Sequence, residues 1–181
     1  QAFGISQKVL SKDMSKMIKD VKNFGSLSVK STAEVAVYTR KLGIEFDKLL
    51  GIVDKFDTFE DAATAAAQLS QSFGLSIDAF QQMQEQNPAK RLDEIRKAMN
   101  AAGKSSDNMS RQELKLLAST TGLDEATAKQ AFSAKNLGVS YEEIQKQSGK
   151  AEKKQLTQAE AMVKLADSIE RVVMSGSANF R

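Results

Sequence analysis

The chain has 181 residues, 41% hydrophobic and 27% charged, with no His, Cys or Trp and a single Pro; this is globular composition, enough for one ordinary domain or two small ones. It excludes, as devices built within the chain, the common zinc sites, His-ligated haem, iron-sulfur clusters, Cys nucleophiles and the Ser-His-Asp relay. The 26 Lys and Arg against 23 Asp and Glu leave a formal charge of +3, far from the dense basic field of a dedicated nucleic-acid binder.

In chain order, the first predicted helix covers residues 5–22, after Gly4-Ile5-Ser6, and Lys22 to Lys30 reads as a flexible or solvated connection. Ser31-x-x-Glu34 is a capping box, in which a hydroxyl accepts a helix-start N–H and the acid reaches back to the cap's own N–H. It opens a helix over 32–55, with a break at Gly43 left open. Asp57-x-x-Glu60 opens 58–72, and 76–86 follows. Asn87 caps a helix over 88–101 whose first position is Pro88, where a missing N–H costs nothing. Ser110-x-x-Glu113 opens 110–120, a helix over 124–134 follows, and Ser140-x-x-Glu143 opens 140–147. Lys146 to Lys154 reads as a second connection, and Thr157-x-x-Glu160 opens an amphipathic helix over 156–174. No apolar run approaches the ~18 residues of a membrane span, and the start lacks a signal peptide's apolar stretch.

Five times a Gly precedes a branched aliphatic and then a polar residue, at Gly4, Gly43, Gly74, Gly122 and Gly138. Gly takes the left-handed conformation that ends a helix, the aliphatic side chain packs back on the last turn, and the polar residue caps the next helix. Tight helix-to-helix corners are therefore expected at Gly43, Gly74, Gly122 and Gly138, with helix caps at Asp57, Asn87, Ser110, Ser140 and Thr157. The predicted fold class is all-α, an array of short helices joined by Gly corners with longer flanking helices. The expected organisation is an N-terminal helix and linker (1–31), a compact multi-helix module (32–148), and a linker with a C-terminal amphipathic helix (149–181). Phe46, Phe56, Phe59, Phe73, Phe80 and Phe132 are the expected core aromatics.

Few motifs offer chemistry. Gly103-Lys104-Ser105 resembles the end of a phosphate-binding loop, but Ala98 stands where that loop needs Gly, inside an amphipathic helix. The carboxylate pairs Glu60-Asp61, Asp93-Glu94 and Glu142-Glu143 point about 100° apart on their helices and do not converge. No EF-hand pattern is present. Leu116 to Phe132 has the spacing of a DNA-binding helix-turn-helix, with Lys129 and Lys135 nearby; yet its second helix opens with Asp124 and Glu125, which a polyanion disfavours. A nucleic-acid-binding regulator is thus the alternative reading. No catalytic, cofactor-binding or metal-binding residue is assigned, and the chain is read as no enzyme.

The ordered strings Phe-Asp-Thr-Phe-Glu-Asp-Ala-Ala (56–63), Leu-Ser-Gln-Ser-Phe-Gly-Leu-Ser-Ile-Asp (69–78), Asn-Pro-Ala-Lys-Arg-Leu-Asp-Glu-Ile-Arg (87–96), Met-Ser-Arg-Gln-Glu-Leu-Lys-Leu-Leu-Ala (109–118) and Thr-Gly-Leu-Asp (121–124) span roughly half the chain. This part of the chain resembles a helical module of large virion proteins of tailed bacteriophages, especially tail tape-measure proteins. The resemblance implies a non-enzymatic structural component of the virion, in the tail interior or tail tip and in host cytoplasm during assembly, that helps set tail length and deliver DNA. It implies tail tube, hub or baseplate proteins as partners, together with further copies of the chain, and no small-molecule substrate. DNA contact is allowed but not favoured. A chain of this length is far too short to span a tail and would be one segment of a longer protein, which also suits a sequence beginning at Gln1 and ending at Phe180-Arg181.

Overall fold

Side-chain oxygens at helix starts explain where most of the chain's helices begin. A computed structural model describes residues 4–154, 163, 165–167 and 169. Ten α-helices and no strand occur among them, so the protein is all-α. None of these helices is long and apolar enough to cross a membrane. The chain packs as two units, one made of Lys41–Ser140 and the other of Gln1–Arg40 with Tyr141–Arg181.

In the discontinuous unit, Ser6 accepts the Val9 N–H and opens α1 (Gln7–Lys19), which buries Leu10, Met14 and Met17 along one face. The interval 22–30, expected as a solvated connection, holds the short α2 (Val21–Phe24) and the start of α3 (Val29–Leu42), because Phe24 is buried and anchors it. The Ser28 hydroxyl accepts the Ser31 N–H at 3.0 Å. Ser31-x-x-Glu34 therefore lies inside α3 and caps nothing. Every residue from Thr32 to Thr39 is buried, the mark of a helix covered on all sides. Asp13 of α1 takes a two-point ion pair from Arg40 of α3, at 2.7 and 2.9 Å. Tyr141 opens α10 (Tyr141–Lys154), packs edge-on against Tyr38 at 5.6 Å and places its hydroxyl 3.4 Å from Glu34 Oε1. Helix α10 runs through the interval 146–154, expected as a connection; a Glu142–Lys146 ion pair at 3.2 Å supports one of its turns. Thr157 lies outside the described residues.

The continuous unit holds a 3₁₀ turn (Phe46–Leu49), α4 (Leu50–Lys55), α5 (Phe59–Phe73), α6 (Ala79–Gln84), α7 (Pro88–Ala101), α8 (Arg111–Thr121) and α9 (Glu125–Ala131). Further 3₁₀ turns lie at Ser106–Asn108 and Ala134–Asn136. Its core gathers Leu49, Ile52, Phe56, Leu69, Phe73, Leu92, Ile95, Leu117 and Phe132. Phe59 and Phe80, expected in that core, are 56% and 52% exposed: Phe59 is the first residue of α5, on its outer side, and the two rings meet edge-to-face at 6.5 Å.

Gly74 (φ +70°) and Gly122 (φ +80°) end α5 and α8 in the left-handed conformation, and Gly43 (φ +77°) follows the end of α3. Gly138 is not left-handed. What precedes it is a 3₁₀ turn, which closes by ordinary three-residue bonds and has no helix C-terminus to terminate. Asn87 caps α7 by accepting the Ala89 N–H, and Ser110 opens α8 with both bonds of a capping box. Ser140 immediately precedes α10. The cap of α5 is Thr58, whose hydroxyl accepts the Asp61 N–H at 3.1 Å, and not Asp57; the helix starts one residue later than the Asp57-x-x-Glu60 reading requires. Thr58→Ala is expected to lower unfolding free energy by about 1 kcal/mol, whereas Asp57→Ala should stay within about 0.5 kcal/mol. Urea denaturation of the two variants distinguishes these outcomes.

Candidate functional site

Among the described residues, buried charge is concentrated on α7, where Arg91, Asp93 and Arg96 are each less than a tenth exposed. Pro88 and Asn87 fix where this helix begins, and its Leu92, Ile95 and Met99 face the core. The two guanidinium groups are thereby held among the ends of other elements. Arg91 donates to Glu85 O at 2.7 Å, Met83 O at 2.9 Å and Val53 O at 3.2 Å, which are carbonyls at the C-terminal ends of α6 and α4. Arg96 donates to Ala131 O at 2.8 Å, Asn136 O at 2.5 Å and Val139 O at 2.8 Å, at the end of α9 and in the turn beyond it. Helix ends leave carbonyls without intrahelical partners; a buried fork of N–H donors satisfies several at once. Burial pulls Arg91 below its ordinary pKa, while Asp57 and then Glu85 act in the opposite direction. An arginine starts so high that it remains a cation at neutral pH.

Amide side chains complete the framework. Gln130 Nε2 and Asn136 Nδ2 both donate to Leu42 O at 3.0 Å, and Ser106 Oγ donates to Lys129 O at 2.6 Å. Helix α4 meets the turn after α8 with backbone against backbone: a Cβ built on Gly51 would overlap the Gly122 carbonyl, and one built on Gly122 would lie 2.6 Å from the Gly51 carbonyl carbon.

A hollow of about 150 Å³ opens beside Arg96, lined by Asp93, Lys97, Lys104, Ser133 and Leu137 among others. Asp93 sits 3.4 Å from Arg96 and 3.6 Å from Lys97, so this carboxylate is engaged in ion pairs. No group of three or more His, Cys, Asp or Glu able to hold a metal occurs among the described residues. At Gly103-Lys104, the N–H groups of Gly103 and Lys104 bond to Asn100 O and Met99 O and close α7, so they are not free to wrap a phosphate. Of the acidic pairs, Glu60 and Asp61 are exposed in the first turn of α5, Asp93 is buried beside an exposed Glu94, and Glu142 and Glu143 are exposed at the start of α10.

At the helix-turn-helix-like segment, Asp124 caps α9 by accepting the Thr127 N–H at 2.7 Å and pairs with Lys48 at 3.3 Å. Its pKa lies below the usual carboxylate value, chiefly because of the Thr127 backbone bond. Glu113 is lowered too, first by its bond with the Ser110 backbone. A carboxylate depressed on folding stabilises the protein above its unfolded pKa, and that contribution disappears as pH falls through the lower folded value. Acid titration followed by helical circular dichroism should therefore show stability falling below about pH 4, and Asp124→Asn should flatten that fall. Lys129 and Lys135 line a second, open hollow together with Asp107. No known protein family, curated protein or solved structure matches the chain.

Sequence reasoning does not single out Arg91 or Arg96, although both stand in the 87–96 string. Their spacing of five residues carries no recognised motif, and only tertiary burial gives them their role. The arrangement can brace helix ends; it brings together no nucleophile, base and oxyanion donor.

Proposed function

We propose that the chain is a segment of a tailed-phage tail tape-measure protein, or of a related internal virion protein, and that it works by packing against partner chains without catalysis. The observation that carries this reading is the ordered set of strings between Phe56 and Asp124, all of which fall within Lys41–Ser140. The polar side chains packed within that unit support a structural role, since the buried Arg91, Arg96 and Asn136 and the half-buried Gln130 all donate hydrogen bonds to backbone carbonyls. Short helices held by tertiary packing also suit a protein that must rearrange within a narrow tube, because such helices have little stability of their own. Its place is then the tail interior or tail tip, against tube, hub or baseplate proteins.

Mass spectrometry of purified virions tests the reading. Peptides of this chain in intact tails, within a parent of many hundreds of residues encoded among tail genes, are expected. Finding them only in host cytosol would overturn it, and a salt-dependent shift of duplex DNA weakened by changing Lys129 and Lys135 would favour a nucleic-acid-binding regulator.

A further inference from the structure

Charge is segregated along this chain far more than its net +3 suggests. From Asp57 to Ala89 there are five acids, Asp57, Glu60, Asp61, Asp78 and Glu85, and no Lys or Arg. This stretch forms α5 and α6, and it carries the exposed Phe59–Phe80 pair. Asp57, Glu60, Asp61 and Asp78 are all exposed and lie within three residues of one ring or the other. The stretch therefore carries two exposed aromatic rings and four exposed carboxylates close to them in sequence, with Lys55 just ahead of it and Asp57 also acting on Arg91. An exposed aromatic ring close to carboxylates suits an ammonium group, which the ring face and the acids both attract.

The complementary surface is on α1. Lys8, Lys12, Lys16 and Lys19 are all exposed and recur at four-, four- and three-residue steps, which puts them on one side of the helix. The one acid of α1, Asp13, is buried and committed to Arg40. The row is thus purely basic, about 16 Å long at 1.5 Å per residue, and its alkyl stems can cover aromatic rings while the ammonium heads meet carboxylates.

We propose that the Phe59–Phe80 surface is a docking site for the α1 lysine row of a second copy of this chain. The inference rests on the two surfaces alone and stands whether or not the protein belongs to a phage tail. The contact joins two different surfaces, and every copy carries both. A patch centred on two rings and four carboxylates is small, so the association is weak and sensitive to ionic strength.

Sedimentation equilibrium of the full chain, from micromolar to millimolar concentration, tests it. The mean mass should rise above the 19.7 kDa monomer at low salt. It should fall back as ionic strength goes from about 0.01 M to about 0.15 M, where the screening length shrinks from about 30 Å to about 8 Å. Lys12→Glu/Lys16→Glu and Glu60→Lys/Asp61→Lys should each weaken self-association at least about tenfold, and a mixture of the two variants should associate again, because each then supplies the charge the other needs. Phe59→Ser/Phe80→Ser should weaken association without altering the salt dependence of what remains. Circular dichroism of each variant verifies folding, and a variant that unfolds is replaced by the corresponding single substitution. A chain that stays monomeric throughout, variants that associate like the parent, or a mixture that fails to associate while each variant remains folded would each overturn the proposal. A lysine row that binds duplex DNA with no self-association would also overturn it.

Discussion

Replacing Arg96 by Met should lower the unfolding free energy by about 3–5 kcal/mol, the usual cost of removing one side of a buried charged network. The loss has two sources. Ala131 O, Asn136 O and Val139 O lose the guanidinium that binds them, and Asp93 loses its ion pair with Arg96. Arg96→Lys should recover little, because an ammonium is a single point of charge and cannot span carbonyls arranged around a planar fork. Lys97→Met, at a half-exposed position on the same helix, should change stability by less than about 0.5 kcal/mol. Urea denaturation of all three decides the matter: a loss below about 1 kcal/mol for Arg96→Met, within the range of one ordinary hydrogen bond, would show that the guanidinium does not brace these ends.

The second large effect is expected at glycines, and its sign is diagnostic. Gly51 lies inside α4 with ordinary helical φ, where Ala would normally add about 1 kcal/mol of stability. Here its Cβ would strike the Gly122 carbonyl, with the carbonyl carbon at 2.8 Å. Backbone cannot rotate away as a side chain can, so Gly51→Ala should instead cost about 1–3 kcal/mol, the usual range for overpacking. Gly122→Ala should cost more, since it adds the penalty of a left-handed residue, about 1–2 kcal/mol, to the same collision. Gly74→Ala meets nothing within 4 Å and should show only the left-handed penalty. Gly138→Ala meets nothing and carries no such penalty. The expected order of destabilisation is Gly122, Gly51, Gly74, Gly138. Thermal melts of the four variants test it, and stabilisation by Gly51→Ala would contradict the close backbone approach.

Local chemistry and tertiary chemistry differ in how plainly a sequence displays them. Ser110 with Glu113, and Asn87 with Pro88, act within one turn of chain, so their spacing is enough to find the starts of α8 and α7. The start of α5 is harder because Asp57 and Thr58 are both good caps and both have an acid three residues on. Nothing local in the sequence separates them; in the structure it is Thr58 that accepts the Asp61 N–H and opens the helix. At α3, Ser28 has the advantage over Ser31 because Glu34, the acid a capping box at Ser31 would need at the surface, is buried. Arg91, Arg96 and Gly51 depend on partners roughly 35 to 70 positions away at their farthest, and spacing cannot reveal such distances. Phe59 and Phe80 are expected inside for a related reason: hydrophobicity alone does not say which side of a helix meets the rest of the chain.

The two arginines of α7 also have a consequence for the order in which the unit comes apart. Between them they hold carbonyls from residues 53, 83, 85, 131, 136 and 139, so α4, α6, α9 and the closing turn share one fastener. Peeling away either end exposes acceptors already bound by that helix. Local opening is therefore suppressed, and the amides of α7 should exchange with solvent deuterium only at the rate of global unfolding, whereas the outer turns of α5 and α8 exchange sooner. Under tension the same design gives an abrupt release: the unit resists until α7 is withdrawn, and its helices then lose their common support together.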